Sequence, residues 1–131
     1  MNYYIAREIA SPFDATVTAT IAALKREGFG VLTDIDVQAT LREKLGVEFR
    51  KYRILGACHP PSAHRALETE ERIGLMLPCN VIVQERGPNL AEVAAIDPVA
   101  SMLAVGNPAL RDLGLEVRAK LERVIQSIAA P

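Results

Sequence analysis

Residues 79–96 constrain the fold more than any other stretch of this chain. Residues 79–86 and 90–96 are two alternating, β-rich runs, and Gly87-Pro88-Asn89 between them is turn chemistry. Strand, tight turn and strand make an antiparallel hairpin. That alone excludes a purely parallel, doubly wound sheet.

The rest of the chain can be read outward from this hairpin. Residues 2–9 alternate, with Tyr3, Ile5 and Ile9 on one side and Tyr4, Ala6 and Glu8 on the other, as a strand with one buried face does. Ser11-Pro12-Phe13-Asp14 reads as a helix start with Ser11 as N-cap. Phe13, Val17, Ile21 and Leu24 follow at helical spacing, which leaves Thr16, Thr18 and Thr20 for the surface, and Gly28 ends the helix. Residues 29–35 form a second strand. Asp36 caps a short helix that Gly46 terminates.

A third strand covers residues 49–58. Pro60 and Pro61 break it and start a helix over 62–72, where Glu68 and Arg72 are spaced to pair. Residues 73–77 read as an extended return to the hairpin. Beyond the hairpin, Asp97 caps a helix from Pro98 to about Val105, and Asn107-Pro108 repeats the cap signal. The final helix carries Leu110, Leu113, Val117, Leu121, Val124, Ile125 and Ile128 on one stripe, with Gly114 weakening its first turns.

This order predicts one α+β domain over residues 1–131: a mainly antiparallel five-stranded sheet with helices packed on one face. The bare face then invites a two-fold partner, and a homodimer is expected. Fifteen basic residues against sixteen acidic ones, interspersed, give no basic stripe, so neither nucleic acid nor an anionic membrane is an expected partner. The start MNYYIAREIASP has neither the basic end nor the apolar run of a signal peptide, and no apolar segment approaches the ~20 residues of a membrane helix. A cytoplasmic protein is expected, in which two cysteines are free thiols rather than a structural disulfide.

Both cysteines and both histidines fall between residues 52 and 85. Cys58 ends a strand just before a helix, where the helix N-terminus and its N–H groups activate a thiol. Cys79 opens the next strand. An out-and-back path of matched length makes the two strands antiparallel neighbours and brings the cysteines together, with Ile54 and Cys58 sharing a face with Cys79, Val81 and Val83. Several functions fit. One is a site for a small ligand or a soft metal, zinc or copper(I), built from Cys58 and Cys79 with His59 or His64, and with Asn80 beside them. A second is a thiol-dependent enzyme or sulfur-transfer protein with Cys58 as nucleophile and a histidine as base. A third is a dimeric scaffold whose cysteines are packed core. His59 and His64 read most simply as exposed residues, and Asn80 as a polar residue on the other face of its strand.

YRILGACHPP, followed by GLMLPCNVIVQE, resembles the motif pair of the bacterial and archaeal domain-of-unknown-function family 302. The flanks GFGVLTDIDVQATLREKLGVEFRK and AIDPVASM agree with it. The resemblance implies a small cytosolic α+β domain of TATA-binding-protein-like architecture, usually a homodimer, with no settled activity. It implies cysteines at the Cys58 and Cys79 positions, and matches at Pro60, Pro78 and Asn80. His59 departs from it, since the family commonly carries Asn there. The reading that results is a binding or accessory module rather than an enzyme.

Overall fold

In a computed structural model of the chain, which describes residues 2–129, the hairpin forms as β4 (Cys79–Gly87) and β5 (Leu90–Ile96) around Pro88-Asn89. The register slips between Glu85 and Gly87, a bulge beside the turn. β1 (Tyr4–Ile9) lies outside β5. On the other side of β4 come β3 (Tyr52–Cys58) and then β2 (Gly30–Asp36). The sheet is antiparallel throughout, in the order β1-β5-β4-β3-β2.

Among the described residues, α1 (Phe13–Arg26), α2 (Val37–Leu45) and α3 (Pro60–Thr69) connect strands, and α4 (Pro98–Val105) and α5 (Arg111–Ser127) follow β5. The three expected capping side chains each accept an amide, although Asn107 caps a 3-10 turn over Pro108–Leu110 that precedes α5 and not α5 itself. Asp36 accepts the Ala39 amide at 2.9 Å, Asp97 the Val99 amide at 2.9 Å and Asn107 the Ala109 amide at 3.0 Å. Gly46 and Gly106 take the left-handed conformation that closes a helix.

Every residue of the expected C-terminal stripe, from Leu110 to Ile128, is buried, and the stripe packs on α1 and shares one core with the sheet residues Leu55, Val81, Val83 and Val93. Arg7 tethers the far end of α5 by donating to the carbonyls of Ile125, Gln126 and Ile128 at 3.0, 3.1 and 3.0 Å. Gly114 lies in the contact between α4 and α5: a Cβ there would be 3.5 Å from Met102 Cγ and 3.7 Å from Pro98 O, which are ordinary contact distances.

Several local expectations are corrected. Ser11 does not cap α1: the N-cap position is Pro12, and the buried Ser11 Oγ has no hydrogen-bond partner among the described residues. The buried face of α1 runs through Thr16 and Thr20, not Ile21. Their hydroxyls donate to the carbonyls of Pro12 (2.9 Å) and Thr16 (2.7 Å), which lets them enter the core satisfied. α3 stops at Thr69, so Arg72 lies beyond it, and Glu68 meets His64 (3.6 Å) while Arg72 meets Glu71 (3.7 Å). Residues 73–76 are a 3-10 turn with Ile73 buried, not an extended return. The third strand begins at Tyr52 rather than Phe49.

Among the described residues, no helix lies over the middle of the sheet's second face, where Tyr52, Asn80, Ile82, Gln84 and Ala94 line an open hollow. Registers align Ala6, Ala94, Ile82, Ile54 and Ile35 as one apolar row across all five strands. A parallel row of Glu8, Glu92, Gln84 and Tyr52 is polar. In it Gln84 donates to Glu92 (2.9 Å) and Arg50 donates to Gln84 (2.9 Å), with the Arg50 guanidinium over the Phe49 and Tyr52 rings.

Candidate functional site

The end of β3 and the start of β4 meet because Ala57 pairs with Cys79. Cys58 is therefore diagonal to Cys79, and both are free, partly buried thiols lining one pocket. The expected proximity is real, but the expected shared face is not. The register puts Cys79 in phase with Leu55, Ala57, Val81 and Val83 on the helix-covered side, whereas Cys58 has the phase of Ile54 and Gly56. Cys58 reaches the pocket as the last residue of its strand.

The pocket is a cavity of about 50 Å³ between these strand ends, α3, α4 and α5. That is room for roughly three to five water-sized molecules. Its wall is almost wholly apolar, with Phe29, Ala66, Leu77, Leu113 and Val117 around the two thiols. Met102 of α4 adds a thioether. Sequence reading missed this residue, because a methionine in an apolar helix carries no local signal of a site. Burial, and after it the neighbouring Cys58, pushes the Cys79 thiol up to about 11, so Cys79 is a protonated thiol at neutral pH.

His59 is the N-cap of α3, not an exposed turn residue. Its Nδ1 accepts the Ser62 amide at 3.4 Å and lies 2.7 Å from the Ser62 hydroxyl. The ring rests against Phe29 with centroids 5.6 Å apart, and a Cβ on Gly28 would meet its Cδ2 at 3.1 Å. An asparagine side chain satisfies an N-cap in the same way. The departure from the family pattern at this position therefore keeps the cap.

This cap also takes up the amides that were expected to face Cys58. Pro60 and Pro61 have no N–H, the Ser62 N–H is held by His59 Nδ1, and the Ala63 N–H donates to the His59 carbonyl at 3.0 Å. The start of α3 has no amide left for a thiolate. Since Nδ1 is engaged as a cap, His59 is also poorly placed as a base for Cys58. His64 is exposed and faces Glu68. Asn80 pairs across the sheet with Gly56 and lies on the uncovered face, away from the thiol pocket.

The cap makes stability pH-dependent. Burial, with a smaller contribution from Lys120, lowers the His59 pKa below its ordinary 6.5, and protonation would turn Nδ1 from acceptor into donor. The unfolded chain then takes up the proton first as pH falls. The stability contribution is present above pH 6.5 and is lost as pH drops from there through the lower folded value. The urea-midpoint difference between wild type and His59→Asn should therefore shift in favour of the variant as pH falls from 8 to 5. A difference that does not change with pH would contradict it.

Among the described residues, no group of three or more His, Cys, Asp or Glu is placed to hold a metal ion, and no helix is long and apolar enough to cross a membrane. The pattern of the family described as "Domain of unknown function DUF302" matches residues 5–128. The crystal structure of an uncharacterized conserved DUF302 protein from Bacillus stearothermophilus is similar to this one with a TM-score of 0.90 and 25% identity, covering 98% of this chain and 100% of that one. No curated protein matches the chain.

Proposed function

The chain belongs to the DUF302 family, and from that premise we propose that it is a homodimeric binding module whose Cys58/Cys79 pocket takes a small, soft ligand. The observation that carries this reading is two free thiols from adjacent strands on the wall of one small, apolar cavity. Thiols kept free in this way suit a reducing compartment such as the cytoplasm. The thiol-enzyme alternative is weaker, because His59 is committed to capping and the amides of α3 are committed to the cap.

Alkylation of the native protein with iodoacetamide, with and without a soft metal ion, tests the pocket. Both cysteines should be protected together by the metal. One fast-reacting thiol without metal protection would favour an enzyme, and two thiols inert until unfolding would mean packed core.

The dimer reading is supported by the apolar row on the uncovered sheet face. Five strands about 4.8 Å apart and about six residues long give a face of roughly 24 by 20 Å, so two copies face to face would cover roughly 1,000 Å², the lower bound for a stable interface. A two-fold axis along β4 would lay apolar row on apolar row and bring Glu92 of one copy towards Arg50 of the other. Light scattering should find two chains for wild type and one for Ile82→Asp and for Ile35→Asp, each still folded. A monomeric wild type would refute the dimer.

A further inference from the structure

We propose that the soft ligand of this pocket is copper(I), bound by three sulfur atoms: the thiolates of Cys58 and Cys79 and the thioether of Met102. This rests on the pocket reading above and specifies its ligand.

Three separate elements deliver the three sulfurs to one cavity: the end of β3, the start of β4, and α4. The remaining wall is apolar apart from His59 and Ser62, which are bonded to each other 2.7 Å apart. Among the described residues, no carboxylate lines the cavity. A donor set of two thiols and one thioether is soft, and soft donors select copper(I), a cation content with few ligands. Zinc needs a closed set of four from Cys, His and carboxylates, and thioether sulfur is not among its ligands. The described residues hold no cluster of even three such groups. The cavity of about 50 Å³ accepts a single ion and excludes a nucleotide or other large cofactor.

The third ligand is positioned by a specific device. α4 is a short helix between the Asp97 cap and the left-handed Gly106, and it packs on α5, with Met102 Cγ 3.5 Å from where a Cβ on Gly114 would lie. That close approach brings Met102 over the strand ends. On binding, each cysteine that is protonated releases its proton to solvent as its sulfur bonds the ion, and no electron is transferred.

The test is copper(I) affinity, measured anaerobically by competition with a chromogenic copper(I) chelator, for wild type and for Met102→Leu, Met76→Leu, Cys58→Ser and Cys79→Ser. Met102→Leu conserves volume, so the fold should survive. Its affinity should fall at least tenfold, with Met76→Leu unchanged and both cysteine variants much weaker. Selenomethionine-labelled wild type gives a second measurement: the selenium absorption edge should show one copper neighbour at bonding distance, lost in Met102→Leu. If both serine variants bind as wild type does, the pocket reading itself fails. If the cysteines matter but Met102→Leu binds normally and selenium sees no copper, only this inference fails. A wild type that binds zinc more tightly than copper(I) overturns it as well.

Discussion

Gly56→Ala is expected to destabilise the protein by about 2–3 kcal/mol, although replacing a glycine inside a strand ordinarily stabilises it. Contacts decide the sign. A Cβ on Gly56 would lie 2.1 Å from Thr33 Oγ1 and 2.7 Å from Pro78 Cγ, both far inside van der Waals contact. Thr33 sits on the edge strand β2 and can rotate its hydroxyl away. The ring of Pro78 cannot rotate, and moving it moves Cys79, the next residue. The loss should therefore be only partly recovered in a Gly56→Ala/Thr33→Ala double variant, and the double variant should still show altered alkylation of Cys79. Urea denaturation of the three proteins measures this. A Gly56→Ala protein as stable as wild type would show that the strand ends around the pocket are not packed as described.

Leu121→Ala should cost about 3–4 kcal/mol, which is a large share of the ~5–15 kcal/mol that holds a domain of this size together. Leu121 is fully buried at the centre of α5, the helix that packs on α1, β1 and β5. Leu121 belongs to the hydrophobic core cluster, and close-packed surroundings collapse only partly into a vacated volume. Leu32, which is 67% exposed on the edge strand, is the control. Its alanine variant should differ from wild type by less than about 0.5 kcal/mol in the monomer. Equal losses at both positions would mean that the core is not where the contacts place it.

How far the sequence could be read follows from the range of each interaction. The caps at Asp36, Asp97 and Asn107, the closing glycines Gly46 and Gly106 and the stripe on α5 are encoded within a turn or two of the residues that show them, and all form, with Asn107 capping the 3-10 turn before α5. The hairpin fixed the antiparallel character of the sheet for the same reason. Misreadings arose where a side chain had two local options. Ser11 looks like a cap, but Pro12 takes that position. Thr16 and Thr20 look like surface residues, yet hydroxyls bonded back to the preceding turn are satisfied in the core.

The site was half legible. Adjacent antiparallel strands follow from matched path lengths, even though the return segment is a 3-10 turn and not extended. Register does not follow from path length, and a shift of one residue moves every side chain to the other face. The shared face assigned to Cys58 and Cys79 failed for that reason, while their proximity held. The role of His59 was hidden because two consecutive prolines remove the amides that a helix start normally offers, so the histidine caps the first amide left. Met102 was invisible, since only the docking of α4 over Gly114 brings it to the thiols.

The claim on which everything else stands is that Cys58 and Cys79 of one chain face a single cavity. Titration with mercuric ion, followed by its thiolate charge-transfer absorption, tests it most directly. The expected equivalence point is one ion per chain, with both thiols lost to a disulfide reagent at that point and with the mass of the assembly unchanged. Equivalence at two ions per chain, or one ion joining thiols of different chains, would contradict the shared pocket.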